Sequence, residues 1–537
     1  MKPVGALRYG MAAFIGFVTC GTRFCSVAAV AARETDTMVG MNDQAEHILD
    51  SLDDAQRQAA TAVDGPVRII AGAGAGKTRT ITRRIAYACA CGDWDPSRVL
   101  AVTFSVKAAE EMRARIAGLG VEGVAAATFH SAALHQLNRV WTGVTEAPFP
   151  DLVSDNKRLV ATAFQRVTGA EAPDPLSVRD LEAEINWTKV SLIAPRDYAK
   201  VCAATHRQPP AGLDADRMAD LITAYEGDKT ARNQIDFNDI LLMVCHLLED
   251  PELEQAAAAI RGRIGWLTVD EYQDVSPLQH RLMRLWMGDG RNREVCVVGD
   301  AAQTIYSFAG ATSYYLRSFG EEFGPLAADV TLNVDYRSTA SVVRYANRVL
   351  AASPERAGYI KLRSGRDQGP GARVTTLRYP SDWDEARGAA ARLRAMVRKG
   401  AKPSDCAVLT RLNAQQGLVA AALKELGFSY RIRTDAGWQS QSLSVESLRT
   451  DGLDAGAVTI STIHAAKGLE FGHVCIVGCS EGLLPFGSPA PGDLLEEERR
   501  LMYVGVTRAE DTLQLSFADS KDGYGSALRA PSRFLQR

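Results

Sequence analysis

Lys77 and Thr78 close a run of small residues, Ala71-Gly72-Ala73-Gly74-Ala75-Gly76. That run follows the apolar segment Val67 to Ile70 and opens the helix-like stretch Arg79 to Ala90. Small side chains let successive backbone N–H groups curl round an anion, and the helix that follows adds the partial positive charge of its N-terminus. Lys77 would then reach the β- and γ-phosphates of ATP, and Thr78 would put its hydroxyl on a magnesium ion (Mg2+). The usual pattern begins with glycine where this chain has Ala71, so the loop alone also reads as a small-residue turn.

A second group of residues makes the nucleotide reading firmer. The apolar stretch Trp266 to Val269 ends in Asp270 and Glu271. There Asp270 would hold magnesium and Glu271 would take a proton from the water attacking the γ-phosphate. Downstream, Glu294 to Val298 delivers Gly299 to Gly310, in which Gln303 could contact the γ-phosphate while Tyr306 and Phe308 offer flat faces to bases. One segment would then touch both ligands. Arg337 and Arg508, far along the chain, are candidates for fingers on the transferring phosphoryl group; the commoner fate of an exposed arginine is a surface ion pair. Gln56, in a polar helix-initiating segment, could read an adenine edge with its amide. Phe104 and Phe129 follow short strands and read either as base platforms or as core.

Positioning these groups requires alternating strands and helices, with the polar clusters beyond the carboxyl ends of parallel strands. The chain has 537 residues, 46% hydrophobic and 23% charged, long enough for several cores. A net charge of −3 excludes a strongly basic protein, so any nucleic-acid groove is a local surface. The 10 cysteines are scattered without zinc or iron–sulfur spacing and read as reduced thiols of a cytoplasmic protein. Lys2, Arg8 and the apolar Met11 to Val18 resemble a weak signal peptide; the reading preferred here is a disordered extension or unused upstream start over 1–41. No later run is long enough to span a membrane.

Taken together, several segments resemble the UvrD/Rep/PcrA family of superfamily 1 DNA helicases. They are Ala71 to Thr78, Thr103 to Arg115, Thr128 to Ser131, Asp270 to Asp274, Val298 to Gly310, Asp335 to Ser338, Thr462 to Phe471 and Glu496 to Ala509. The resemblance implies an α/β fold of two RecA-like domains with parallel sheets, ATP at their interface and single-stranded DNA across their top. It implies 3′→5′ translocation of about one nucleotide per cycle. Carried over by motif, Gln56, Arg79 and Tyr336 surround adenine and Glu470 holds the ribose. Phe104, Thr128, His130, Tyr306, Phe308 and His464 line the DNA path.

The expected domains are 42–133 with 226–330 for the first motor and 331–430 with 457–530 for the second. A helical insertion (1B-like) would occupy 134–225, a vestige of the larger 2B insertion 431–456, and a tail 531–537. Without most of 2B, intrinsic unwinding is expected to be weak or partner-dependent while translocation survives. Phe308-Ala309-Gly310 replaces the family's Trp-Arg-Gly-like ending, and Val106 replaces a polar residue. Both changes are expected to weaken the grip on DNA. The wording most resembles the second UvrD-type paralogue of actinobacteria, whose extra DNA-binding domain and cysteine cluster are expected to be missing here. Expected partners are single-stranded DNA, single-strand/duplex junctions and repair proteins, with the protein itself a monomer.

Overall fold

The structure, a computed structural model, describes residues 45–288, 294–366, 374–433, 456–523 and 528–535. Two all-parallel, six-stranded sheets carry the molecule. The first contains β1 (Val67–Ala71), β2 (Val99–Thr103), β3 (Ala125–Thr128), β4 (Trp266–Val269), β5 (Val295–Gly299) and β6 (Ala328–Leu332) in the order β3-β2-β4-β5-β1-β6. Its central strands β2 and β5 are buried at every position, as expected when helices cover both faces. On one face Ile81 and Ile85 of helix Lys77–Ala90 pack on Val67 and Ile69. On the other, helices Phe129–Val144, Phe237–Glu249 and Pro277–Met287 share a core with Val102, Val269 and Val297.

The second sheet contains β7 (Val374–Ser381), β8 (Cys406–Thr410), β9 (Tyr430–Arg433), β10 (Val458–Thr462), β11 (Phe471–Ile476) and β12 (Ala509–Ser520) in the order β7-β12-β11-β8-β10-β9. Helices Ala340–Ala351 and Asp493–Val506 cover one face, and Asp382–Arg398 and Gln416–Glu425 the other.

The helical insertion has its own core, built by Leu159, Leu181, Tyr198 and Leu221 from four helices between 156 and 231. The insertion begins later than 134, and at its other end it runs past 225. Helix Phe129–Val144 runs unbroken past 134, with Leu137 and Val140 in the first motor's core. At the other end, Ala215–Ala231 belongs to the insertion. A two-residue parallel pairing of Asp151–Leu152 with Gln234–Ile235 forms the neck.

Two further boundaries shift. β6, through Leu332, belongs to the first sheet, and β9, through Arg433, belongs to the second. Helix Asp493–Val506 stops before Ala509, which opens β12, so Arg508 sits in the turn between them. The tail also docks: Phe534 is buried in the second core. The expected extension 1–41 and residues 434–455 lie outside the described residues. Among the described residues every cysteine is free, and no helix is long and apolar enough to cross a membrane.

Candidate functional site

Four strands of the first sheet aim their carboxyl ends at one cleft of about 1620 Å³, closed from the other side by the second domain. At the end of β1 the loop turns through Gly74 and Gly76, with φ of 69° and 77°. A Cβ on Gly74 would lie 2.0 Å from Asp335 Oδ1, so this approach of the second domain's motif to the loop requires glycine. The Tyr336 N–H donates to the Gly74 carbonyl at 3.0 Å. Ala71 is buried at the base of the loop, while Gly72, Ala73, Ala75, Lys77, Thr78 and Arg79 line the cleft.

β4 ends in Asp270, only 4% exposed, followed by Glu271 in the left-handed region at φ 52°. Burial and the neighbouring Glu271 charge push the Asp270 carboxyl up to about 7. Burial also opposes ionisation of Glu271, but Lys77, 3.9 Å away, and Lys467 outweigh it and hold that carboxyl at about 2. The donor set fits magnesium: the Thr78 hydroxyl and Asp270 carboxylate are hard oxygens, and Asp270 is an acid crowded by a second acid. Bound there, a divalent ion would neutralise phosphate charge.

β5 ends in Asp300, which accepts from the Gln303 side-chain amide at 2.8 Å. The same loop continues to Tyr306 and Phe308, an edge-to-face pair at 6.1 Å, with Phe308 5.9 Å from the His464 ring. Phe308 is 60% exposed. Burial, then Arg411 and Lys467, push His464 down to about 3, so this wall of the groove is neutral.

The second domain closes the cleft with cations. Arg337 pairs with Glu470. Arg508, 2% exposed, donates to the carbonyls of Val504 at 3.1 Å and Leu469 at 3.0 Å; burial and the nearby Arg337 push it down to about 10. Lys467 pairs with Asp274 and donates to the Gln303 carbonyl at 2.6 Å. Across the same seam Arg500 donates to the Thr304 carbonyl at 2.8 Å, and the Ser307 N–H donates to Glu497 at 3.1 Å. These bonds fasten the loop 300–310 to both domains.

Residues 52–324 match the UvrD/REP helicase N-terminal domain, and 330–438 and 438–520 match the UvrD-like helicase C-terminal domain. The chain belongs to the UvrD/REP helicase family. It is 36% identical to the ATP-dependent DNA helicase UvrD2 of Mycobacterium tuberculosis over 92% of this chain and 82% of that protein. It is 32% identical to UvrD1 of the same organism over 75% and 52%, and 29% identical to PcrA of Bacillus subtilis over 73% and 51%. The two C-terminal matches abut at 438, inside the region expected to be a vestigial insertion.

Within this helicase frame not every expected residue reaches the cleft. Phe104, Tyr306, Phe308, His464, Tyr336, Arg337, Glu470 and Arg508 line it. Gln56 does not: it is buried, and its amide donates to the Ala75 carbonyl at 3.0 Å while completing a helix capping box. Thr128 caps helix Phe129–Val144. His130 is stacked on Phe237 at 4.0 Å, with Nε2 unpartnered and burial pushing it down to about 4. Sequence reasoning gave no role to Lys467, Asp274, Glu497 or Arg500. All four sit within quoted motif segments, but their partners are acquired only across the domain seam.

Proposed function

We propose that this chain is an ATP-driven motor that moves 3′→5′ along single-stranded DNA and separates strands at single-strand/duplex junctions. Its setting would be cytoplasmic, in DNA repair or replication restart alongside repair proteins, with the motor acting as a monomer. The observation that carries the reading is the loop 300–310. At one end Gln303 lines the cleft with Asp270 and Glu271 and Asp300 feels the Glu271 charge, while at the other Tyr306 and Phe308 form an aromatic wall with His464. A change at either ligand must move the other.

In this reading Lys77 holds the phosphates, Thr78 and Asp270 hold magnesium, and Glu271 accepts a proton from the attacking water. Lys77 turning from Glu271 to phosphate removes one of the charges that hold Glu271 down, so substrate binding makes the base more basic. Arg337 exchanges Glu470 for phosphate oxygens, freeing Glu470 for the ribose, while Arg508 completes the positive wall. Gln56, Tyr336 and Arg79 frame the adenine side. Thr128 and His130 would line the DNA path with Phe104, Tyr306, Phe308 and His464.

Steady-state ATP hydrolysis with and without single-stranded DNA, beside a Glu271→Gln control, tests this. Strong DNA stimulation lost in the control is expected; turnover indifferent to DNA would sink the motor reading. The C-terminal matches abutting at 438, together with Ala309, favour a second reading. It is an ATP-gated single-strand binder that displaces proteins with weak or no intrinsic unwinding. Translocation without strand displacement would select it.

A further inference from the structure

Glu271 occupies a backbone region that non-glycine residues rarely adopt, so its neighbours must hold it there. The next residue, Tyr272, is fully buried, and its hydroxyl lies 2.9 Å from His280 Nδ1. The other ring nitrogen of His280, Nε2, lies 3.1 Å from Glu322, whose carboxylate also meets Arg284 at 3.0 Å. A carboxylate only accepts, so Nε2 carries the proton and Nδ1 accepts from Tyr272. Burial, acting against Glu322, keeps the ring neutral, in keeping with that assignment.

The ring also stacks on Tyr315 at 3.8 Å and 8°. Tyr315 and Glu322 both lie on helix Tyr314–Phe323, which begins just after the aromatic loop, and Phe319 of that helix meets Tyr272 edge-on at 6.0 Å. Between loop and helix, the Thr312 N–H donates to the Val275 carbonyl at 3.3 Å. A cavity of about 810 Å³ lies beside His280, which is itself only 6% exposed; its hydrogen bonds, the Tyr315 stack and the edge of Phe323 at 6.5 Å set the ring's orientation.

We infer that His280 is a positioning residue for ATP hydrolysis, tying the Tyr272–Glu271 segment to helix Tyr314–Phe323 so that the DNA-facing loop and the hydrolytic carboxylate move as one body. This rests on the assignment of Glu271 above. A core histidine with satisfied bonds and no such role predicts stability effects alone.

The test is the DNA-stimulated ATPase of the full chain carrying His280→Leu, His280→Asn, Tyr272→Phe or the Tyr272→Phe/His280→Leu pair. Tyr272→Phe and His280→Leu, which both lose the Tyr272–His280 hydrogen bond, are expected to lower kcat about tenfold, with KM for ATP within about twofold. Asn places an acceptor near the Nδ1 position and is expected to recover most of kcat. The double variant should be no slower than either single one. Unchanged kcat in Tyr272→Phe, KM rising in step with lost kcat, or a double variant showing the product of the two losses would each overturn the proposal. Should His280→Leu fail to fold, Tyr272→Phe and His280→Asn carry the test. Full turnover by Glu271→Gln would overturn the assignment of Glu271 itself, whereas an inactive Glu271→Gln beside a fully active Tyr272→Phe would overturn the His280 link alone.

Discussion

The two sheets have the same strand number and the same parallel sense, yet among the described residues only the first ends a strand in a glycine-rich loop of the phosphate-cradle kind. β1 runs into Gly74 and Gly76 at positive φ, where bare backbone can wrap an anion. β8, central in the second sheet, runs into Arg411, whose guanidinium is held by Glu498 at 2.7 Å. β10 runs into the turn carrying His464 and Lys467. A parallel sheet is therefore a platform without a fixed chemistry; whether its strand ends expose N–H groups or charged side chains decides the task. In the proposed motor the first domain would supply the binding cradle and the acids, and the second would supply cations that act across the cleft.

The sharpest way to break that division is to remove a cation from the second domain and leave the cradle intact. Arg337→Ala is expected to lower kcat about a thousandfold, the scale of an arginine finger, while a fluorescent nucleotide still binds. Lost nucleotide binding would mean that Arg337 belongs to the ground-state site. A smaller effect is expected at the seam. Lys467→Met leaves Asp274 buried without its cation, in a place where burial already pushes that carboxyl up to about 6. The closed arrangement should weaken by about 3 kcal/mol, seen as lower DNA stimulation and lower energy transfer between dyes on the two domains.

A third effect, of similar size, concerns the second domain alone. Glu385 accepts from the Gly478 N–H at 2.9 Å and the Ser516 hydroxyl at 2.6 Å, and burial pushes its carboxyl up to about 7 from 4.5. A folded-state value above the unfolded one favours the protonated form. Its contribution is complete below the unfolded value and drains away as pH rises through about 7, by up to about 3 kcal/mol. Glu385→Gln keeps an acceptor and removes the titration. Thermal melts between pH 5 and 8 should therefore lose part of their slope, and an unchanged slope would place the titration elsewhere.

Much of the phosphate machinery was legible in the chain, because it depends on local order. A strand, small residues, Lys77 and a helix must be contiguous for the cradle to form, as must the apolar run before Asp270 and Glu271. Family membership was legible for the same reason: Val298 to Gly310 and Thr462 to Phe471 are unbroken segments whose order survives any insertion between them.

What tertiary structure alone decided is which partners meet across distance. No spacing in the sequence announces that Lys467 reaches Asp274, that Arg500 reaches the Thr304 carbonyl, or that His280 holds Tyr272 against a helix beyond the aromatic loop. Nor could composition show that the Gln56 amide is occupied by the phosphate loop, or that helix Phe129–Val144 belongs to the motor rather than to the insertion. Periodicity reports which face of an element is buried; it does not report what buries it, because that choice is made by the packing of the whole chain.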